Sequence, residues 1–183
     1  MVVLWIIAGI LVLLVIMVIV YYNKLVVLSN RIDNSLSQID VQLKRRSDLV
    51  PNLLSTVKGY AKHEKGIIAD VTKAREAMLK AGNITAKAKA GAELESALKS
   101  IFALAEAYPD LKANTNFLQL QQELATIEDK VAYSRQFYND SILSFNNTVE
   151  SFPGNLFAKM FGKKEKPFLE IAKEEKALPR VSF

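Results

Sequence analysis

Residues 2 to 50 read VVLWIIAGILVLLVIMVIVYYNKLVVLSNRIDNSLSQIDVQLKRRSDLV, with a single glycine, Gly9, and no proline before Pro51. Val2 to Val20 carries no charge and no side chain more polar than Trp5. As a helix rising 1.5 Å per residue, this run is about 28 Å long, close to the ~30 Å hydrocarbon core of a bilayer. A lone segment satisfies its own backbone hydrogen bonds there only as a helix. Tyr21-Tyr22-Asn23-Lys24 follows as an interfacial collar. Beyond it the apolar positions Leu25, Leu28, Ile32, Leu36, Ile39 and Leu43 step by 3 or 4, so helical periodicity carries straight out of the membrane and predicts one helix from Val2 to about Val50.

A secretory signal peptide would need a basic start, a shorter apolar run and a small-x-small cleavage site. No Lys or Arg precedes this run, and the residues after it are bulky. The absence of cysteine excludes a lipoprotein anchor, disulfides and thiolate metal sites. Lys24 and Arg31 follow the span closely and only the amino group of Met1 precedes it, which predicts a single-pass protein of the cell (inner) membrane with its N-terminus out and its C-terminal domain cytoplasmic.

After the anchor about 160 residues remain, enough for one domain with a real core. The formal charge of +5 lies entirely outside the span. A modest basic excess without an Arg-rich stripe or aromatic stacking motif argues against nucleic acid as a partner and leaves the lipid bilayer as the partner the chain itself implies.

Val50-Pro51 is read as a turn or kink, because proline lacks the N–H an inner helical position needs and disfavours helix in the residue before it. A second helix is predicted over about Pro51 to Lys80, with Leu54, Val57, Ala61, Glu64, Ile68, Val71 and Met78 on one stripe, ending at Gly82-Asn83. A third begins near Thr85, carries Ala90, Leu94, Leu98, Ile101, Ala105 and Tyr108, and stops at Pro109. The fourth places Phe117, Leu120, Leu124, Ile127, Val131, Ser134, Tyr138, Ser141, Phe145, Thr148 and Phe152 at spacings of 3 and 4. A step averaging 3.5 means long helices packed nearly parallel or antiparallel through a seam. The predicted fold is all-α: a transmembrane anchor (1–23), an elongated antiparallel bundle of about four long helices (24–162), and a tail (163–183) that docks on it through Phe168, Leu169, Ile171 and Phe183. Asn155 to Phe161 is expected to add an amphipathic turn or two.

Several blocks resemble the LemA family of bacterial membrane proteins. They are Ile39-Asp40-Val41-Gln42-Leu43-Lys44-Arg45-Arg46-Ser47-Asp48-Leu49-Val50-Pro51-Asn52-Leu53, then Val57 to Glu64, Ala103 to Asn114, Tyr138-Asn139, Phe145-Asn146, Phe152-Pro153 and the closing Pro179-Arg180-Val181-Ser182-Phe183. The resemblance implies one N-terminal span, a short extracytoplasmic N-terminus and a cytoplasmic helical bundle. It supplies no reaction, and it hints at a neighbouring membrane protease as a partner.

Chemistry-bearing residues are few. His63 is the only histidine, which excludes triads and two-histidine metal sites. The seven glycines form no phosphate loop. No catalytic, cofactor or metal role is assigned. Lys44, Arg45, Arg46 and Asp48 fan around the expected helix end; they are a candidate partner contact, against the plainer reading of a solvated helix end whose cations complement the dipole. On a straight helix Arg45 lies more than about 30 Å past the span, too far for headgroups across a ~8 Å screening length. Asn139 and Asn146, one heptad apart, with Arg135, are candidate register-fixing polar groups. Arg75 and Arg135 face Glu64, Glu106, Glu123 and Glu128 as prospective interhelical ion partners.

The function expected is that of a membrane-anchored, non-enzymatic helical scaffold or adaptor, as a homo-oligomer or with other proteins. The alternative is a ligand-binding sensor that relays a signal through the continuous first helix.

Overall fold

The computed structural model of the chain describes residues 1–169, and among these there are helices and no strand. Ile171 and Phe183, expected to dock, and the Pro179–Phe183 block lie outside the described residues. The helices are α1 (Val2–Tyr60), α2 (Lys65–Lys80), α3 (Ile84–Ala105), α4 (Pro109–Lys112), α5 (Thr115–Glu150) and α6 (Gly154–Met160).

The first helix is longer than expected. It runs through Pro51 and ends at Tyr60, so the turn falls at Ala61–Glu64 rather than at Val50-Pro51. Pro51 cannot donate to the carbonyl of Ser47, four residues back. That carbonyl instead accepts a 2.8 Å hydrogen bond from Nε of Arg75 in α2, so the group orphaned by proline is satisfied from another helix. Helix α3 starts where expected because Asn83 caps it, Oδ1 accepting from the Ala86 N–H at 2.8 Å. Asn114 does the same for α5 through the Phe117 N–H, at 3.0 Å.

Two compact units draw on α1 and α5: residues 1–37 with 136–168, and residues 38–135. In the second unit, Arg46 meets Glu128 and Tyr60 meets Asn114, so α1 and α5 run antiparallel. Asp40 pairs with Lys87 and Arg46 with Gly91, so α3 runs parallel to α1, while Phe102 packs edge-on to Phe117 and α5 returns along α3. With α2 descending between them, this is an up-down-up-down bundle. Of the expected stripes, Ile39, Leu43, Val57, Val71, Leu94, Ile101, Phe117, Leu124 and Val131 are buried and Glu64 and Ile68 half-buried; Val50 and Leu53 join the core because α1 continues past Pro51.

The first unit contains the apolar run. Residues 2–20 have no buried side chain, and this is the one described segment long and apolar enough to cross a membrane. Past the run, Leu25, Ile32, Ile142 and Phe145 are buried between antiparallel stretches of α1 and α5. The helices approach closely through two small buried residues, Ser35 and Ser141, whose hydroxyls are 3.2 Å apart and each bonded to the carbonyl four residues back. The next turn of chain brings α6 back to α1. Phe157 stacks on Tyr21 at 4.9 Å and Phe161 meets Tyr22 edge-on at 5.1 Å between ring centroids.

Candidate functional site

The most charged place inside the bundle is built on Arg46. Its position continues the stripe Ile39, Leu43, Arg46, Val50, Leu53, which turns the side chain into the core, where it is 1% exposed. An unpaired guanidinium there would be far too costly. Arg46 pairs with the Glu128 carboxylate of α5 and donates to the Gly91 carbonyl of α3 at 3.2 Å. Gly91 lets α3 lie close to Leu43 of α1: a Cβ there would sit 3.1 Å from Leu43 and 3.8 Å from the Arg135 guanidinium.

Glu95, one turn beyond Gly91 on α3, completes the cluster. It accepts from Lys99 at 2.6 Å and shares a hydrogen bond with Glu128. Burial pushes the Glu128 carboxyl up, and the hydrogen bond and charge of Glu95 push it further, outweighing the opposing pull of Arg46. Burial also pushes on Glu95, but the hydrogen bonds from Lys99 and Glu128 and the charges of Lys99 and Arg46 hold it below its ordinary value. Of the two carboxyls, Glu95 is therefore the stronger acid and Glu128 the weaker. The one fully buried cation of the cluster, Arg46, is answered by a carboxylate of the same fold. Such a cluster fixes how α1, α3 and α5 meet.

The other residues singled out from sequence go to different places. Lys44 and Asp48 are exposed and 3.7 Å apart, a pair of the kind that contributes little. They and Arg45 lie within α1, not at a helix end, so the dipole reading does not apply to them. Arg45 lines a shallow groove of about 410 Å³ with Gln119, Gln122, Glu123, Thr126, Ile127 and Lys130 of α5. Arg46 is separated from its neighbours by burial. Asn146 is buried, and its side-chain amide grips the backbone of Lys166, donating to the carbonyl and accepting from the N–H, both at 2.9 Å. It thus holds the chain after α6 rather than a neighbouring helix. Asn139 and Arg135 are half-buried. Of the prospective ion partners, Arg75 serves Ser47, Glu64 accepts from the Tyr108 hydroxyl at 2.9 Å, and Glu106 meets Lys112. His63 is exposed in the turn after α1. Among the described residues no three His, Cys, Asp or Glu side chains converge as metal ligands would. The triad itself was missed. Its one signal was Arg46 standing on the apolar stripe; nothing local marks Glu128 and Glu95 as its neighbours.

An all-helical, membrane-associated protein with its interior charges neutralised among its own helices is the class these features define. The sequence model of the LemA family matches residues 35–183, and the chain belongs to that family. It is 30% identical over 141 residues to Protein LemA of Metamycoplasma hominis, a match covering 75% of this chain and 63% of the relative. It is 24% identical over 175 residues to magnetosome protein MamQ 1 of Paramagnetospirillum magneticum, covering 81% and 64%. With MamQ of Magnetospirillum gryphiswaldense the figures are 24% over 169 residues, 78% and 62%. The chain thus spans somewhat under two thirds of the length of these curated relatives. The family is not a known enzyme family.

Proposed function

We propose that the chain is a non-enzymatic scaffold or adaptor that holds a helical bundle at the cytoplasmic face of a membrane. The observation that carries this reading is α1 itself: a bare apolar run and a core helix of the bundle are one uninterrupted helix, Val2–Tyr60. A chain with its interior charges spent internally acts through its surface and its location. The surface offered is the mixed-charge groove of Arg45, Glu123 and Lys130 with the amides of Gln119 and Gln122, which suits protein better than lipid. The occupant is a second copy of the chain or a neighbouring membrane protein. Lys24 and Arg31 just beyond the run favour a cytoplasmic bundle.

A photo-crosslinker placed at Arg45 or Gln122 in intact membranes is expected to give discrete adducts that one at Asp70, on α2, does not give. Only monomer at every position overturns the adaptor reading. Protease added to spheroplasts should leave the bundle intact, and its digestion there reverses the orientation.

A further inference from the structure

The ring contacts between α6 and the collar of the span define a second contact with the membrane. Viewed down its axis, α6 has three faces. Gly154 and Ala158 are buried against the protein, with Phe157 and Phe161 beside them on Tyr21 and Tyr22. Asn155 and Lys159 form a narrow polar strip. The rest of the surface is apolar and uncovered: Leu156 and Met160, four residues apart, are each 57% exposed, and Phe152 just before the helix is 81% exposed. A soluble surface helix would turn these side chains inward and its polar residues outward. Here the apolar arc is wider than the protein beneath it.

The level at which this arc sits is set by its partners. Tyr21 and Tyr22 are the first residues after the apolar run, so they stand at the boundary between hydrocarbon and headgroups. Phe157 and Phe161 touch those same two rings, which puts α6 at that depth. This end of the chain is basic: Lys159 lies within α6, Lys163 and Lys164 follow it, and no acidic residue stands between Gly154 and Lys164. Aromatic and aliphatic side chains beside lysines are the composition of helices that lie in the plane of an anionic interface. We infer that Phe152, Leu156 and Met160 insert into the headgroup–acyl boundary of the leaflet where the span emerges, with the lysines on its anionic headgroups, making α6 a foot beside the anchor. Gly154 keeps the foot in place, since a Cβ there would come within 2.2 Å of the Thr148 carbonyl.

The inference rests on residues 2–20 being a membrane span, and the experiment separates the two. The chain has no cysteine, so Leu156→Cys and Met160→Cys each accept one environment-sensitive fluorophore, and Trp5 is an internal reporter of the span. The full chain in vesicles of anionic lipid is challenged with lipids bearing a nitroxide near the headgroup or deep in the acyl chain. Labels at 156 and 160 are expected to lose emission more to the shallow quencher than to the deep one, and a label at Gln122→Cys to neither. Exchanging Lys159, Lys163 and Lys164 for Gln, or the anionic for zwitterionic lipid, should reduce that loss. Quenching of Trp5 without quenching at 156 and 160 overturns the foot and leaves the span standing; absence of both overturns both. Quenching at 156 and 160 that disappears as protein per lipid is raised means a second copy covers the arc, and it too overturns the inference.

Discussion

Arg46 and Glu128 are one ion pair, yet removing either side has unequal consequences. Glu128→Ala leaves a guanidinium 1% exposed with no carboxylate on it, and the cost expected is about 3–5 kcal/mol. Arg46→Met fills the same space with an apolar chain and leaves carboxyls that are partly open to water, 34% for Glu128, and can take up a proton; about 1–2 kcal/mol is expected. Urea unfolding followed by circular dichroism ranks them, and an equal or reversed order refutes the account. The opposite shifts of the two carboxyls make a second expectation. Glu95, held below its ordinary 4.5, contributes stability that is lost as pH falls through its lowered pKa. Glu128, held above 4.5, contributes stability that is full at lower pH and lost as pH rises through its raised pKa. The cluster's contribution therefore peaks near the ordinary carboxylate value. Glu95→Gln should flatten the acid limb of a stability–pH curve and Glu128→Gln the limb above it; limbs unchanged by these substitutions would contradict the assignment. Arg46 was expected at a solvated helix end or in a partner contact; its spacing from Leu43 and Val50 is the signal that it is buried, and nothing local marks its partners. Arg46, Glu95 and Glu128 lie on three helices, and no local pattern ties residues that far apart in sequence.

Helices carry most of what was readable here, because a long amphipathic helix writes its packing along one dimension. The stripe from Phe117 to Thr148 is buried at nearly every position expected, Leu120 being half-buried, and only Phe152, past the end of α5, lies bare. Pro51 misled for the opposite reason: the local rule holds, but the remedy comes from Arg75, far along the chain. Arg75→Gln should therefore leave the Ser47 carbonyl without its partner and cost about 1–3 kcal/mol. Pro51→Ala restores an N–H to the same carbonyl, so the double variant should recover most of that loss, which a double-mutant cycle measures as a coupling energy. Additive losses would mean that Arg75 acts elsewhere. At α6 the constraint is steric, and no side-chain pattern in the sequence marks it. Gly154→Ala drives a methyl group into the Thr148 carbonyl. It should release α6 from the tyrosines and speed tryptic cleavage at Lys159 and Lys163, while the bundle of residues 38–135 keeps its helical signal.

Taken whole, the chain carries two kinds of exposed apolar side chain, and the fold alone does not tell them apart. Leu13, inside the apolar run, is 58% exposed; Leu118, on α5, is 48% exposed. In water the two would be equivalent, and replacing either by arginine would be close to neutral. They differ in their neighbours. Leu13 stands in an unbroken run of bare apolar residues, far more than a soluble surface tolerates in one patch, whereas Leu118 is flanked by exposed Asn116, Gln119, Gln121 and Gln122. If hydrocarbon surrounds the run, Leu13→Arg places a charge near the bilayer midplane at a cost of about 2.5–3.5 kcal/mol, and Leu118→Arg places one in water at almost none. Alkaline carbonate extraction should accordingly leave the native chain and Leu118→Arg in the membrane pellet while part of Leu13→Arg passes to the supernatant. Equal retention of both variants would mean that the run is not what holds the chain to the membrane, and that the lipid contact must be sought in α6 and its lysines.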